Sequence, residues 1–268
     1  MQESLDLKFA ANQEMWNQKT GVHLDSDFYE LEAFKQGDTS LRSVELEEVG
    51  EVSGKSLLHL QCHFGMDSLS WVRQGAEVTA MDFSSEAIKE ARNLSKELEL
   101  PATFIESNLY DLPSNLQGEF DVVFTSYGVL GWLPDMDRWA EVAAQYVKPG
   151  GFLYLIEFHP VIWMHDEEVN HIEYDYFNTS VIEEITEGTY ADREAALKHK
   201  SYSWNHSISE VVGALIRQGL QISQLNEFPF STWDCFPNLK EIGHRKYVFK
   251  HLEGKIPYMY SLKAHKPA

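Results

Sequence analysis

Polar residues follow several apolar runs of this sequence, at places where a ligand could be held. Residues 56–60 are followed by Gln61-Cys62-His63-Phe64-Gly65, and residues 76–81 are followed by Asp82. A glycine after a buried strand permits a tight turn whose backbone groups can approach a ligand. A carboxylate at the next strand end can accept hydrogen bonds from both hydroxyls of a ribose. The pattern predicts a site for a nucleotide-like ligand, with capping of a helix near Ser84 as the alternative role of Asp82.

Residues that could contact a ligand also follow three further apolar runs, which are residues 102–105, 120–125 and 152–156. The candidates at these ends are Asn108, Leu109, Ser126, Tyr127, Trp132 and His159. His159 is the candidate general base, because an imidazole can take a proton near neutral pH and this one follows the fifth run directly. Its alternative role is to cap the strand end by a hydrogen bond before Pro160.

Strands and helices alternate through the middle of the chain. Helical patterns occupy residues 67–74, the stretch that begins at Ser84 or Ser85, and residues 135–147. Ala87, Ile88 and Ala91 share one face of the second helix, which is the spacing of an amphipathic helix. Strands that alternate with helices indicate a parallel sheet covered on both faces, with ligands bound at the carboxyl ends of the strands.

In this order and spacing, the strand-end features resemble those of class I S-adenosylmethionine-dependent methyltransferases. The resemblance covers residues 54–160, and its most specific pieces are Phe120-Asp121-Val122-Val123 and Lys148-Pro149-Gly150-Gly151. Gln61-Cys62-His63-Phe64-Gly65 is similar to the first motif of a small-molecule branch. The resemblance implies a Rossmann-like α/β fold: a seven-stranded, mostly parallel sheet with one antiparallel strand and helices on both faces.

The resemblance also implies a role for each matching residue. Gly65 would lie against the methionine part of S-adenosylmethionine, with Gln61 and His63 lining it in place of the usual glycines. Asp82 would bind the ribose and Phe83 would lie beside the adenine. Asn108 would accept from the adenine amino group, and the Leu109 N–H would face the ring. Ser126 would face the cofactor, whereas Tyr127 and Trp132 would face the substrate. His59 stands where an acidic residue is usual.

The remaining segments predict coverings for this core within a single domain. Residues 1–53 are expected to form an N-terminal helical lid, 54–160 the cofactor-binding core, 161–205 an insertion and 206–268 the rest of the sheet. Aromatic side chains are concentrated in the insertion. They could close over a cation or a flat ring, or they could form a secondary core.

Composition limits the partners. The 268 residues carry a formal net charge of −20, which disfavours nucleic acid as a substrate. With two cysteines, no membrane span, no signal peptide and no metal-ligand spacing, the chain is expected in the cytoplasm without a metal. The leading hypothesis is a methyltransferase acting on a small molecule. A non-catalytic binder of the cofactor and a nicotinamide-dependent oxidoreductase are the alternatives, although the first turn lacks the Gly-x-Gly-x-x-Gly of the latter.

Overall fold

The computed structural model describes residues 2–166 and 169–268. Its strands are, in chain order, β1 (Ser56–Leu60), β2 (Glu77–Asp82), β3 (Ala102–Glu106), β4 (Phe120–Ser126), β5 (Val147–Phe158), β6 (Ile182–Glu187), β7 (Lys198–Ser203), β8 (Gln221–Phe228), β9 (Leu239–Gly243), β10 (Lys246–Phe249) and β11 (Met259–His265). Its helices are α1 (Gln2–Asp25), α2 (Leu31–Lys35), α3 (Ser43–Val49), α4 (Met66–Arg73), α5 (Ser85–Glu97), α6 (Leu112–Asn115), α7 (Met136–Gln145) and α8 (Ile208–Arg217).

A seven-stranded sheet forms the centre, in the order β3-β2-β1-β4-β5-β11-β8. β1 to β5 pair in parallel, and β11 lies antiparallel between β5 and β8. β1 and β4 are buried along nearly their whole length, which explains why they appear in the sequence as unbroken apolar runs. The expected seven-stranded, mostly parallel sheet with one antiparallel strand is confirmed.

Two hydrophobic cores lie on opposite faces of this sheet. Leu57 and Val122 face the core that contains α4 and α5, whereas their neighbours Leu58 and Val123 face the core that contains α7 and α8. Successive side chains of a strand point to opposite faces, so each central strand supplies both cores. α5 begins as expected, since the Ser84 hydroxyl accepts a hydrogen bond from the Ala87 N–H.

The fifth strand begins earlier than the sequence predicts. β5 starts at Val147 and includes the Lys-Pro-Gly-Gly segment, whereas the sequence indicates a helix as far as residue 147 and a strand from residue 152. Gly150 has φ +80°, and a Cβ on Gly151 would lie 2.8 Å from the Asp121 carbonyl oxygen. β5 pairs with β4 at Val147 and again from Phe152, and the two glycines let residues 148–151 bulge closely against β4 between these points.

Two additions cover the carboxyl edge of the sheet. α1 lies across it, where the Asn12 side chain pairs with the backbone of Tyr202 and Gln13 donates to the Phe83 carbonyl oxygen. The antiparallel hairpin β6–β7 lies next to α1, and the hairpin β9–β10 follows the loop that carries Trp233. Within the described chain no helix is both long and apolar enough to cross a membrane. Cys62 and Cys235 are both free thiols.

Candidate functional site

A cavity of about 730 Å³ opens at the carboxyl ends of β1, β2, β4 and β5. Its floor is made by the turns that follow these strands, and its walls by α1, the β6–β7 hairpin and the loop around Trp233. The predicted residues that line it are Gln61, His63, Gly65, Asp82, Phe83, Ser126, Tyr127 and Trp132. Eight predicted residues from three separate strand ends, those of β1, β2 and β4, therefore meet at one cavity, as expected at the carboxyl edge of a parallel sheet.

The turn after β1 has three residues in the left-handed backbone region, and only one of them is a glycine. Gln61, His63 and Gly65 have φ of +55°, +52° and +82°. Such a left-handed conformation costs a residue other than glycine about 1–2 kcal/mol. Strain of this kind persists where the surrounding structure holds it in place, typically at a functional site. Gly65 has no alternative, because a Cβ there would lie 2.8 Å from the Phe104 ring.

The side chains of Gln61 and His63, the two non-glycine residues with a strained backbone, make specific contacts. Gln61 donates from Nε2 to the Val129 carbonyl oxygen at 3.0 Å, and its buried Oε1 has no partner among the described residues. The His63 Nε2 lies 2.8 Å from the Nδ1 of His23 on α1. Burial lowers the pKa of His23 to about 2 and that of His63 to about 3, so both rings are neutral and one donates to the other. The turn is thereby connected to the helix above it.

Asp82 accepts hydrogen bonds from the backbone of the turn after β1 and lines the cavity. Its Oδ2 accepts from the His63 N–H at 2.8 Å and its Oδ1 from the Ser84 N–H at 2.9 Å. The carboxylate is 7% exposed, and burial raises its pKa to about 6 against the effect of these hydrogen bonds. Each oxygen retains acceptor capacity for a ligand hydroxyl. The side-chain cap of α5 is supplied by Ser84, so Asp82 does not fill the capping role that was its alternative.

A polar cluster that includes His59 of β1 lies in the lining of the cavity. His59 is buried, its Nδ1 lies 2.8 Å from the Ser68 hydroxyl, and burial lowers its pKa to about 4. Asp67 lies at the start of α4 and accepts from the hydroxyls of Ser40 at 2.6 Å and Ser126 at 3.2 Å. Asp67 lines the cavity. A carboxylate is therefore present near the strand end at which β1 carries His59 instead of an acidic residue.

A single buried carboxylate shapes the loop after β4. Glu157 accepts hydrogen bonds from the backbone N–H groups of Gly128, Val129 and Leu130. Burial raises its pKa, and these donors act in the opposite direction. Tyr127 precedes the loop with φ +31°, a strained value for a tyrosine, and its hydroxyl accepts from Thr232 at 3.3 Å. Glu157 therefore positions the segment that carries Tyr127.

His159 does not line the cavity. Its Nδ1 accepts from the Val161 N–H at 3.2 Å, so the proton is on Nε2, which donates to Glu227 at 2.8 Å. The ring is 4% exposed. Both nitrogens are engaged in holding the turn after β5, which favours the alternative role of capping the strand end. Its role as a general base stays a prediction without support from this geometry.

Asn108 and Leu109 also lie outside the cavity lining. Asn108 accepts at Oδ1 from the Tyr110 N–H at 3.0 Å and so caps the short 3-10 turn of residues 109–111. Leu109 is 3% exposed within the second core. Their predicted adenine contacts remain predictions, whereas Phe83 lies on the cavity wall.

Aromatic side chains form the upper walls, and they also pack against one another. Trp16 of α1 meets Trp132 at a ring-centroid distance of 5.6 Å and His63 at 5.3 Å. The hydroxyls of Tyr29 and Tyr190 are 2.6 Å apart. These contacts combine the two expected arrangements, since the same rings line the cavity and pack as a cluster.

Lys19 on α1 is a cavity residue that the sequence analysis misses. It is 8% exposed, its Nζ lies 5.3 Å from the Trp16 ring centroid, and it forms no ion pair with a carboxylate in the described ranges. Burial lowers its pKa to about 8, which Glu184 partly opposes. The spacing Trp16, Lys19, His23 on one helix face was the available signal. Within the described ranges, no group of three or more His, Cys, Asp or Glu residues is placed to hold a metal ion.

Part of this chain is similar in sequence to known methyltransferases, and its fold is similar to theirs. Residues 58–153 match the family described as "Methyltransferase domain". "Ubiquinone biosynthesis O-methyltransferase" of Photorhabdus laumondii is 31% identical over 109 residues, 41% of this chain and 45% of that protein. The protein of that name from Xanthomonas euvesicatoria is 35% identical over 119 residues, 43% and 49% of the two chains. The chain thus spans about half the length of the curated relatives it matches.

Solved structures match over more of the chain. The glycopeptide N-methyltransferase MtfA complexed with S-adenosyl-L-methionine has a TM-score of 0.56 and 16% identity, with 87% of this chain and 88% of that chain covered. An S-adenosylmethionine-dependent methyltransferase from Clostridium acetobutylicum has a TM-score of 0.55 and 14% identity, with 80% and 84% covered. Residues 58–153 therefore match a methyltransferase domain, within a fold that S-adenosylmethionine-dependent methyltransferases share.

Proposed function

We propose that this protein transfers a methyl group from S-adenosylmethionine to a small-molecule acceptor. The observation that carries the proposal is the left-handed turn at Gln61, His63 and Gly65, placed beside the Asp82 carboxylate and open to the 730 Å³ cavity. A volume of this size has room for the cofactor and a small acceptor together. The match of residues 58–153 to a methyltransferase domain supports it independently.

The proposed orientation places each part of the cofactor against a named group. The ribose hydroxyls donate to Asp82, and the adenine lies toward Phe83, with Asn108 and Leu109 beyond it. The methionine part lies along the turn at Gly65. Its ammonium group faces Asp67, which lines the cavity.

The proposed reaction is an in-line displacement. A lone pair of the acceptor attacks the methyl carbon while the carbon–sulfur bond breaks, and its electron pair goes to sulfur, which leaves S-adenosylhomocysteine. If the attacking atom carries a proton, that proton leaves to a base or to water. The protein contributes orientation and exclusion of water, which suits a cavity walled by Trp16, Trp132 and Tyr127.

The Gln-Cys-His-Phe-Gly turn supports membership of a small-molecule branch. Its distinguishing residues are the two strained ones, and each uses its side chain: Gln61 fixes the loop after β4, and His63 contacts α1. A glycine could make neither contact. We infer that in this chain the backbone strain of the turn is offset by the contact of His63 with the covering helix α1.

Titration calorimetry with S-adenosylhomocysteine tests the proposal. We expect the dissociation constant to rise by a factor of about 10–100 in Asp82→Ala, because two hydroxyl partners are left without an acceptor. Glu77→Ala is the matched control, since Glu77 is an exposed carboxylate at the opposite end of the same strand. Binding that is absent from the unmodified protein, or equal in both variants, would refute the proposed site.

A further inference from the structure

Lys19 is a buried cation in the cavity lining to which the proposed cofactor contacts give no role. It is 8% exposed and forms no ion pair with a carboxylate of residues 2–166 or 169–268. Glu184 is the acidic group that acts on it, but the Glu184 carboxylate accepts a hydrogen bond from the Tyr174 hydroxyl at 2.9 Å instead. A buried ammonium without a partner is costly, so it is typical of a site where a ligand supplies the negative charge.

The course of α1 places Lys19 above the ends of β1 and β2. Two residues before it, Asn17 accepts from the Ser84 hydroxyl at 2.7 Å, just after β2. Four residues after it, a ring nitrogen of His23 lies 2.8 Å from a ring nitrogen of His63, in the turn after β1. Lys19 lines the cavity between these two attachments. It therefore lies over the part of the cavity to which the ribose and the methionine part of the cofactor are assigned.

Opposite charges border the turn that carries His63. Burial lowers the pKa of His63, and the positive charge of Lys19 lowers it further, so the ammonium is close to this turn. Asp67 lines the cavity and is one of the groups that act on Tyr29. The ring centroids of Tyr29 and His63 are 5.9 Å apart. An α-amino acid carries an ammonium and a carboxylate on one carbon atom, so it fits between a carboxylate and an ammonium of the protein.

Arg193 is the other Lys or Arg side chain in the described lining of the cavity, and it is directed elsewhere. Its Nη2 donates to the Cys235 carbonyl oxygen at 3.1 Å, in the loop around Trp233. Of these two cations, Lys19 is the one whose charge acts on the turn after β1. The anion that the cofactor carries next to this turn is the carboxylate of its methionine part.

We propose that Lys19 binds the carboxylate of S-adenosylmethionine, so that the amino-acid group of the cofactor bridges Lys19 of α1 and Asp67 of α4. The inference rests on the proposed function, because it takes the cofactor to lie in this cavity with its methionine part along the turn after β1. The bound cofactor thereby fastens the covering helix to the edge of the sheet. Lys19 is a binding residue here and takes no part in the transfer of the methyl group.

Titration calorimetry with two ligands tests the inference. The first is S-adenosylhomocysteine, and the second is its decarboxylated analogue, in which a hydrogen atom replaces the carboxylate and the ammonium is kept. We expect the unmodified protein to bind S-adenosylhomocysteine at least about 10-fold more tightly than the analogue. In Lys19→Met the binding of S-adenosylhomocysteine weakens by about 10-fold or more and that of the analogue does not weaken, so the preference is lost. Lys19→Arg retains the preference.

Lys8→Met is the matched control, since Lys8 is on the same helix and its ammonium donates to the Ser4 hydroxyl at the surface. It should leave both dissociation constants unchanged. Because Lys19→Met replaces an unpaired buried charge by an apolar side chain, we expect this variant to fold and to resist urea at least as well as the unmodified protein. A loss of affinity in Lys19→Met is then not a result of unfolding.

Hydrogen exchange of the α1 amides is a second readout. With both ligands at saturation, we expect residues 16–23 of the unmodified protein to exchange at least about 3-fold more slowly with S-adenosylhomocysteine than with the analogue. In Lys19→Met the two ligands give equal exchange rates, because neither can then bridge to α1. Equal rates in the unmodified protein overturn the inference.

Each contrary result of the titrations has its own meaning. The inference is overturned if the unmodified protein shows no preference for S-adenosylhomocysteine, if the preference persists in Lys19→Met, or if this variant weakens both ligands equally, as the loss of a merely structural lysine would. These results leave the proposed function intact, because S-adenosylhomocysteine still binds the unmodified protein. Failure of the unmodified protein to bind S-adenosylhomocysteine overturns the proposed function itself.

Discussion

Replacement of His63 by glycine separates the two effects that oppose each other at the first turn. Glycine is the residue that φ +52° favours, so the change removes strain of about 1–2 kcal/mol. Glycine has more conformational freedom in the unfolded chain, which lowers this gain in folding stability by about 0.5–1 kcal/mol. If backbone strain were the whole account, His63→Gly would be neutral or slightly stabilising.

The side-chain contacts predict the opposite sign. The change removes the 2.8 Å bond to His23, whose buried Nε2 already lacks a partner among the described residues, and an unsatisfied buried group costs about 1–3 kcal/mol. It also removes ring contacts with Trp16 at 5.3 Å and Phe64 at 4.5 Å, worth about 0.5–1.5 kcal/mol each. We expect a net loss of about 2–4 kcal/mol in the free energy of unfolding.

Urea denaturation measures this free energy, and Glu99→Gly is the control. Glu99 has φ +55° after α5 with an exposed side chain, so its replacement relieves strain without removing a buried contact and should stabilise the protein slightly. Calorimetry on the folded fraction of His63→Gly should also give weaker S-adenosylhomocysteine binding, because α1 loses its attachment. A His63→Gly protein as stable as Glu99→Gly would refute the account of the His63–His23 contact.

Three further predictions concern the floor of the site. Affinity for S-adenosylhomocysteine should fall as the pH drops below about 6, because burial raises the pKa of Asp82 to about 6 and the protonated acid is the weaker acceptor. Calorimetry from pH 5 to 8 checks this, and an affinity that does not change with pH would contradict it. Glu157→Gln should lower the free energy of unfolding in urea by about 2–4 kcal/mol, because one amide oxygen cannot serve three backbone N–H groups, and an unchanged value would show that the loop after β4 is held otherwise. Gly65→Ala should cost more than about 2 kcal/mol in the same assay, since its Cβ meets the Phe104 ring at a φ of +82°, and a smaller loss would mean that the ring gives way.

The sheet could be predicted because its strands are buried on both faces. β1 and β4 appear in the sequence as continuous apolar runs, and the helices between them carry apolar residues on one face. The strand-end rule then identifies the residues that gather at the cavity without any knowledge of side-chain contacts.

The role of α1 could not be predicted in the same way. Its buried face contains Asn12, Lys19, Thr20 and His23, all 8% exposed or less. A polar buried face has no hydrophobic period, so a helical lid could be expected over residues 1–53 but the bounds and the buried face of this 24-residue helix could not. The buried face of α1 is polar because it covers the cavity and β7, the strand that contains Tyr202, rather than an apolar core.

The direction of a side chain at a strand end was the second feature that could not be predicted from the sequence. His159 follows β5 at the expected edge, but the turn directs its ring to the Val161 N–H and Glu227 rather than into the cavity. Position along a strand indicates the edge of the sheet that a residue reaches. The dihedral angles of the turn decide which way its side chain points, and residue spacing does not specify them.

A crystal structure of the protein with S-adenosylhomocysteine tests the central claim most directly. The account predicts both ribose hydroxyls within hydrogen-bond distance of the Asp82 carboxylate, the amino group at Asp67 and the sulfur facing Tyr127, with α1 closed over the ligand. A ligand bound elsewhere, or bound in this cavity with its ribose away from Asp82, would contradict it.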